Sequence, residues 1–265
     1  MPWVFRGLRN GVVTTRWPRG EDGYFDEFPA AVRVIGGAHS AAHADVVAAA
    51  EACPTDAISV DPKVRLDRGR CIVCGRCVRS LPERFGWERG CATAELTRSA
   101  LVVGEVEETD EALAQLRASL ARRVRRLRRS VHLRHVDAGS NGSDEWEIQA
   151  LTNPVYDIHR LGVFFTASPR HADILLVTGI GVAGMAEPLR RTLDAMPAPT
   201  VVIAVGTDAI SGGVLGGGYI GGTGVSDLVP VDVWVPGAPA SPFSVLHGIL
   251  LALGRVTART AGSPS

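Results

Sequence analysis

Residues 71–77 read CIVCGRC, and a Cys-Pro pair stands upstream at residues 53–54. Cysteines separated by two residues each have the spacing of thiolates that bind a metal centre, not that of a disulfide framework. Such thiolates belong to a reducing compartment, so the chain is expected in the cytoplasm. The chain holds five cysteines, and none follows Cys91. The sequence therefore predicts a thiolate metal centre in its N-terminal part.

The positions of these cysteines follow the pairing rule of bacterial two-cluster ferredoxins. Each motif there reads C-x2-C-x2-C-x3-C-P, and the fourth cysteine of one motif binds the cluster of the other. On this spacing one ligand set is complete, with Cys53, Cys71, Cys74 and Cys77. The other set has lost every cysteine and holds His43, Val46, Ala49 and Leu81. Because the losses sort by cluster in space, the sequence predicts an α+β ferredoxin-like domain with one 4Fe–4S cluster.

A zinc ion is the alternative occupant, since zinc also accepts four thiolates. Pro54 after Cys53 and the ferredoxin spacing favour iron–sulfur over zinc. Cys91 stands outside the set, and a lone cysteine is expected to be a small buried hydrophobic residue. His43 is expected to be a solvated or core histidine, because the other three positions of its set are apolar.

The composition narrows the class of protein. The chain has 265 residues, 46% of them hydrophobic, and a net charge of zero. It can therefore bury a core, and its charge gives no attraction to nucleic acid. The longest uncharged apolar stretch, residues 233–254, is interrupted by Pro236, Pro239 and Pro242, so it is a poor membrane-spanning helix. Any membrane association is expected to go through partners.

The pattern after the cysteine motif changes from helical to alternating strands and helices. A helix is expected over residues 41–52 and a strand over 100–107. A connector helix is expected from about Asp110, with its last turn at residues 125–129 and an apolar stripe that reaches Val131. Further helices are expected near Pro188 and at Ser241, with Ser as N-cap and Pro242 at the first position. Short apolar runs predict strands buried in a parallel sheet at residues 161–165, 174–178, 201–205 and 231–235.

Several motifs between residues 131 and 237 make this second part of the chain resemble a known family. In order they are VHLRHVDAGSNGSDEWEI, NPVYDIHRLGV, SPRHADILLVTG, EPLRR, VVIAVG, ISGG and PVDVWVPG. They resemble the small, cluster-carrying subunit of respiratory complex I and of membrane-bound nickel–iron hydrogenases such as formate hydrogenlyase. The N-terminal GVVTTRWPRG and the cysteine motif resemble the ferredoxin-type subunit of the same complexes. The chain thus looks like a fusion of two neighbouring subunits.

The resemblance implies a domain organisation and partners. The second part would be an α/β domain with a flavodoxin-like parallel sheet. The partners would be a large catalytic subunit and membrane subunits, which would hold the chain on the inner face of the cell membrane. The expected segments are a 4Fe–4S ferredoxin-like domain at 1–92, a helical connector at 93–130, the small-subunit-like domain at 131–256 and a disordered tail at 257–265.

The chain departs from the resembling family at that family's own cluster. The family binds a proximal 4Fe–4S cluster through cysteines in motifs of the form GSCNGC, GxCA and PGCP. Laid on this chain without gaps, those cysteine positions hold Asn141, Asp144, Asp208 and Ala238. Oxygen ligands do not replace four thiolates around such a cluster. The second domain is therefore expected to lack the proximal cluster.

Three functions follow from these patterns. The first is a non-catalytic electron-transfer and assembly subunit of an oxidoreductase complex, with no catalytic residue of its own. The second is a structural scaffold with no electron transfer through the second domain. The third is a nucleotide-binding oxidoreductase, because residues 179–184 match G-x-G-x-x-G. A hard-cation site at Asn141, Asp144 and Asp208 is a further alternative. The helix expected to start near Pro188, after the third glycine, argues against a nucleotide.

Overall fold

The structure is a computed structural model that describes residues 3–35, 42–103, 110–124 and 130–256. Three expectations fall partly or wholly outside these residues. They are the end of the strand predicted over 100–107, residues 125–129 of the connector helix, and the tail at 257–265.

The elements of the described chain are as follows. The α-helices are α1 (Trp3–Asn10), α2 (Gly23–Glu27), α3 (His43–Glu51), α4 (Arg76–Ser80), α5 (Asp110–Val124), α6 (Ser143–Ala150), α7 (Ala186–Asp194), α8 (Gly206–Ser211) and α9 (Pro242–Ala252). The strands are β1 (Ala31–Val34), β2 (Ile58–Ser59), β3 (Arg65–Asp67), β4 (Phe85–Glu88), β5 (Val102–Val103), β6 (Val131–Asp137), β7 (Val163–Phe165), β8 (Ile174–Thr178), β9 (Val201–Val205) and β10 (Val233–Val235).

The C-terminal part is built on a five-stranded parallel sheet. Its strands lie in the order β10-β9-β8-β6-β7. Read from the other edge and numbered along this sheet, the order is 2-1-3-4-5, as in flavodoxin-like folds. β8 and β9 are buried along their whole lengths, as their continuous apolar runs predict. The strand order reverses between β6 and β8, and open α/β sheets place their sites outside the carboxyl ends of the strands at such a point.

Several boundaries differ from the predicted ones. Val131 begins β6 and does not end the connector helix, which within the described residues stops at Val124. β6 escaped prediction as a strand because its sequence, VHLRHVD, alternates apolar and polar residues. α7 begins at Ala186, before Pro188. The start of α9 is confirmed, because Ser241 Oγ accepts the N–H of Ser244 at 3.1 Å and Pro242 follows it.

The two outer strands of the parallel sheet are shorter than predicted. A 3₁₀ turn, Ile158–Leu161, and the positive φ of Gly162 precede β7, so this strand begins at Val163. β10 begins at Val233. The core positions of both strands are still the predicted ones, because Val163, Val233 and Val235 are fully buried.

The N-terminal part contains two small antiparallel sheets. β1 pairs with β4, and β3 lies between β2 and β5. α3 and α4 pack on them around an apolar core that includes Val32, Leu66 and Phe85. The four cysteines lie at the edge of this core. A ferredoxin-like arrangement of these elements remains a prediction.

The two parts share packing and hydrogen bonds. Trp17, Phe25 and Leu96 are buried in the same cluster as the inner strands of the parallel sheet. Glu95 and Trp234 exchange backbone hydrogen bonds of 2.9 and 2.8 Å at the edge strand β10. The N-terminal part is therefore docked on the β10 side of the sheet. The domain boundary at residue 92 remains a prediction.

Candidate iron–sulfur site

The structure brings the four predicted cysteines together. Cys53 follows the end of α3, and Cys77 lies in the first turn of α4. Cys71 and Cys74 lie in the ligand loop, which we define as residues 68–75 between β3 and α4. All four line one small cavity whose walls are apolar. Cys74 is exposed and the other three are half-buried, so the site lies near the surface.

The turn that starts the ligand loop is fixed by Asp67. Its Oδ1 accepts the N–H of Gly69 at 2.8 Å, and its carbonyl accepts the N–H of Cys71 at 3.0 Å. Arg98 holds the Asp67 carboxylate with two hydrogen bonds, of 2.8 and 2.6 Å. Bidentate pairs of this kind fix geometry as well as charge. Sequence reasoning missed Arg98, because the pair joins two distant segments.

The end of the ligand loop has an unusual backbone. Val73 has φ +55°, a left-handed conformation that a β-branched residue rarely adopts. Gly75 also has a positive φ, +67°, and a Cβ there would lie 2.6 Å from the Trp87 ring. The loop therefore needs glycine at position 75, and it holds strain at Val73 beside two of the cysteines.

The sulfur atoms have the environment of ligands. Backbone N–H groups of Ala57 and Val73 donate to Cys53 Sγ and Cys71 Sγ, both at 3.4 Å. Burial is the main cause of a Cys71 pKa raised to about 12, and the other three thiols act in the same direction. Burial also raises the pKa of Cys77. These two buried thiols resist ionisation, so they need a nearby cation to become thiolates, and iron would supply that charge.

Zinc, the alternative occupant, needs a different arrangement of sulfurs from a 4Fe–4S cluster. Within the described residues, no group of three or more His, Cys, Asp or Glu side chains is placed to hold one metal ion. A zinc ion draws its four sulfurs to about 2.3 Å from one centre. The four cysteines of a 4Fe–4S cluster each bind a different iron, so their sulfurs stand farther apart. Zinc therefore remains the alternative to the predicted cluster.

Three of the four positions in the second ligand set of the ferredoxin spacing lie in apolar core. Val46, Ala49 and Leu81 are buried together in the cluster that also holds Phe85. His43 is exposed at the start of α3. The side chains at three of the four lost positions thus fill space between α3 and α4, and they carry no donor atom for a metal.

The four positions at which the resemblance implies proximal-cluster cysteines follow the carboxyl ends of β6, β9 and β10. Asp144 is buried in α6, and its Oδ1 accepts the N–H of Ala240 at 2.9 Å. An added Cβ on Gly206 would overlap Oδ2, so this carboxyl lies directly against the start of α8. Burial raises the pKa of Asp144 to about 7, and the carboxylates of Asp208, Glu145 and Glu147 act in the same direction.

The other three positions have separate environments. Asp208 is half-buried in α8, and burial followed by Glu145 raises its pKa. Asn141 is exposed, and its Oδ1 accepts the N–H and the hydroxyl of Ser143 at 3.0 and 2.6 Å. Ala238 is exposed in the loop after β10. The structure therefore brings Asp144 and Asp208 near each other, while Asn141 bonds within its own turn.

Comparisons with known proteins match both parts of the chain. Residues 142–252 match the family "NADH ubiquinone oxidoreductase, 20 Kd subunit", and residues 64–119 match "4Fe-4S single cluster domain". The "Probable membrane-bound hydrogenase subunit mbhJ" of Pyrococcus furiosus is 36% identical over 148 residues, which cover 56% of this chain and 89% of that protein. The chain belongs to the NADH ubiquinone oxidoreductase 20 Kd subunit family. Together the two matches indicate an iron–sulfur cofactor.

Other relatives agree with this family. "Formate hydrogenlyase subunit 7" of Escherichia coli (strain K12) is 39% identical over 145 residues, which are 55% of this chain and 56% of that protein. The "Uncharacterized protein MJ0516" of Methanocaldococcus jannaschii is 39% identical over 123 residues, 46% of this chain and 82% of that protein. The chain therefore spans little more than half the length of the formate hydrogenlyase subunit.

Two solved structures align with about half of the chain. The membrane-bound sulfane sulfur reductase (MBS), an archaeal respiratory membrane complex, has a chain with 26% identity and a TM-score of 0.43, over 49% of this chain and 75% of that one. The NAD+-reducing [NiFe]-hydrogenase in the H2-reduced state gives 17% identity and a TM-score of 0.40, over 50% of this chain and 96% of the other. In the part of the chain that the structure describes, no helix is long and apolar enough to cross a membrane.

In this member of the 20 Kd subunit family, a buried polar network lies beside Asp144. His135 Nε2 is 2.9 Å from Thr178 Oγ1, and the Thr178 hydroxyl donates to Glu145 Oε1. Burial lowers the pKa of His135. The three residues come from β6, β8 and α6, so no local sequence signal could have joined them.

The glycines of residues 179–184 have a packing role in this family member. A Cβ on Gly179 would lie 2.6 Å from the Gly139 backbone, and one on Gly181 would lie 2.5 Å from the Gly224 carbonyl oxygen. The third glycine, Gly184, lies in a 3₁₀ turn, and α7 begins only at Ala186. The phosphate site of a dinucleotide fold needs these glycines to open the helix. Here Gly179 and Gly181 let their own loop pack closely against two others, at Gly139 and Gly224.

A large cavity in the described part of the chain was missed by sequence reasoning. It has a volume of about 940 Å³ and lies where the N-terminal segment, the ligand loop and the loop after β10 meet. Its lining includes Val12, Ile72, Val73, Ala238 and Phe243. Several segments far apart in sequence form it, which is why no single stretch indicated it.

Proposed function

We propose that this chain is an iron–sulfur subunit that binds one 4Fe–4S cluster through Cys53, Cys71, Cys74 and Cys77. One observation carries the proposal: these four thiols line one cavity, while three positions of the other ligand set form apolar core. The family match to a single-cluster domain supports the same count. A bound 4Fe–4S cluster takes up and releases electrons.

The protein's own part in this chemistry is to hold and shield the cluster. The cysteines supply the ligands, and Ala49, Leu66 and Ile72 line the cavity between them and exclude water. The Val73 N–H directed at Cys71 Sγ lowers the pKa of that thiol against the effect of burial, and the Ala57 N–H is directed at Cys53 Sγ. Exposure of Cys74 leaves one side of the site open to a partner.

We propose that the C-terminal domain carries no cluster. Asn141, Asp144, Asp208 and Ala238 stand at the positions of the family's cysteines, and their side chains offer oxygen atoms or none. The buried Asp144 carboxyl accepts the N–H of Ala240, and this hydrogen bond closes part of the space between these four positions. The domain would then act in assembly, and electrons would not pass through a proximal cluster.

The partners in this proposal are the other subunits of a complex I-like or membrane-bound hydrogenase-like complex. Its support is that two relatives are named as hydrogenase or hydrogenlyase subunits. The chain would sit on the inner face of the cell membrane through those partners and would catalyse no reaction itself. The proposed organisation keeps a ferredoxin-like domain at 1–92, a connector at 93–130 and the family domain at 131–256. The alternative is a scaffold subunit whose cluster is only structural.

The test is the assembled complex with the neighbouring subunits. Cys74→Ser removes one cluster ligand, and Cys91→Ser is the matched control, because Cys91 is buried away from the four and contacts Ser241. The proposal predicts that Cys74→Ser abolishes turnover without preventing assembly, and that rapid-freeze EPR of the wild type shows reoxidation at the turnover rate. Undiminished turnover of an assembled Cys74→Ser complex would instead establish the scaffold.

A further inference from the structure

A single buried threonine connects the C-terminal domain to the ligand loop. Thr207, in the first turn of α8, is fully buried. Its hydroxyl donates to the carbonyl oxygen of Cys71 at 3.2 Å, across 136 residues of sequence. Its own N–H donates to the carbonyl of Gly237 at 2.6 Å. Thr207 therefore fixes one ligand residue against α8 and the loop after β10.

The ligand loop also approaches α8 at a second point. A Cβ on Gly69 would lie 2.7 Å from Ile210 Cγ2 and 2.8 Å from Arg98 Cζ. Gly69 is therefore required for the close approach of the loop to α8. The same Arg98 holds Asp67 on the other side of the turn. The loop is thus held between its own domain and the C-terminal domain.

The orientation of Cys71 is set by these contacts. Its N–H donates to the Asp67 carbonyl, its carbonyl accepts from Thr207, and its Sγ accepts from Val73 N–H. Val73, two residues on, lies in the left-handed region, which is unfavourable for a residue with a Cβ. A strained loop relaxes unless its surroundings hold it. The Thr207 hydrogen bond is one of the contacts that hold it.

We propose that Thr207 is a positioning residue for the Cys71 ligand, so that the C-terminal domain helps to retain the N-terminal cluster and sets its reduction potential. This inference rests on the proposed function, because it requires a cluster at Cys71. The hydroxyl directs the positive end of its dipole toward the Cys71 carbonyl. That dipole favours the more negative, reduced form of a nearby cluster, as hydrogen bonds around iron–sulfur centres do.

The test compares Thr207→Val, which keeps the shape and removes the hydroxyl, with Thr207→Ser, which keeps the hydroxyl. Both full-length proteins are purified anaerobically and their iron and sulfide are measured. Cluster loss to a ferrous-iron chelator is then followed by absorbance, and the midpoint potential by titration with dithionite. Thr207→Val is expected to lose its cluster about fivefold faster, as for one lost hydrogen bond. Its reduction equilibrium should shift about threefold toward the oxidised form, or about 28 mV at about 59 mV per tenfold. Thr207→Ser should behave as wild type.

Two further variants separate positioning from general stability. Ser211→Ala removes another hydrogen bond of α8, to the Thr207 carbonyl at 3.2 Å, and leaves Cys71 untouched. It should not change the potential, and an effect equal to that of Thr207→Val would overturn the inference. Gly69→Ala should displace the loop from Ile210 and so accelerate cluster loss. It tests the same docking of the loop on α8 if Thr207→Val fails to fold. Unchanged release and potential in a cluster-loaded Thr207→Val would also overturn it. A wild type without a cluster would refute the proposed function itself.

Discussion

Asp144→Asn is predicted to remove a pH dependence of stability that the wild type carries. The Asp144 side chain is buried, and burial raises its pKa from 3.8 to about 7. The carboxyl therefore prefers its protonated form in the folded state. Stability from this group is greatest below the unfolded pKa near 3.8, falls as the pH rises toward 7 and is constant above it.

The size of the effect follows from the shift. Raising the pKa by about 3 units changes the free energy of unfolding by about 4 kcal/mol between the protonated and the fully ionised limits, at about 1.36 kcal/mol per unit. Integration of the same linkage between about pH 5.5 and about pH 8.5 leaves about 2 kcal/mol to be observed. The asparagine side chain in the variant would keep an oxygen that accepts the Ala240 N–H, so the variant loses the charge and keeps the hydrogen bond. Asp208, whose pKa is also raised, contributes in the same direction and persists in the variant.

The assay is urea unfolding of the full-length protein by far-ultraviolet circular dichroism at the two pH values. Because cluster release accompanies unfolding in both proteins, the quantity compared is the difference between variant and wild type at each pH. The variant should gain on the wild type by about 2 kcal/mol between the lower and the higher pH. Asp194→Asn, an exposed acid at the end of α7, is the control and should show no gain. An equal pH dependence in Asp144→Asn and wild type would refute the burial of an ionisable Asp144.

Three other substitutions test the rest of the site. Leu81→Ala should lower the unfolding free energy by about 2–5 kcal/mol in urea titrations, because Leu81 packs with Phe85 in the N-terminal core. An unchanged midpoint would contradict that packing. Gly75→Ala should reduce the iron retained per chain after anaerobic purification, because its Cβ would overlap the Trp87 ring and its φ is +67°. Full retention of iron would show that the loop tolerates a Cβ. Cys91→Ser should leave the iron content unchanged, and a loss of iron would make Cys91 a ligand.

The parts of the fold that sequence reasoning predicted are those whose signal is local. β8 and β9 are continuous apolar runs, and α9 begins with a Ser-Pro cap, so all three elements were predicted. β6 buries apolar residues on both faces of the sheet, but His132, Arg134 and His135 interrupt them. The sequence therefore lacks the continuous apolar run that predicted the other strands. The predicted connector helix reached Val131 because its apolar stripe continued by chance into that strand.

The site, like the fold, has parts with a local sequence signal and parts without one. Cysteine spacing alone predicted four residues that the structure brings around one cavity. The contacts that position them are long-range: Arg98 to Asp67 spans 31 residues, and Thr207 to Cys71 spans 136. Neither arginine nor threonine is a metal ligand, so no motif singles them out. Only the tertiary fold makes them neighbours.

One 4Fe–4S cluster on Cys53, Cys71, Cys74 and Cys77 is the feature on which the proposed function depends. The most direct test is to measure iron, acid-labile sulfide and zinc in the anaerobically purified full-length protein and in Cys74→Ser. We expect about four iron and about four sulfide per wild-type chain, by the composition of the cluster, and loss of both in Cys74→Ser. About eight of each, or about one zinc per chain without sulfide, would contradict the single cluster.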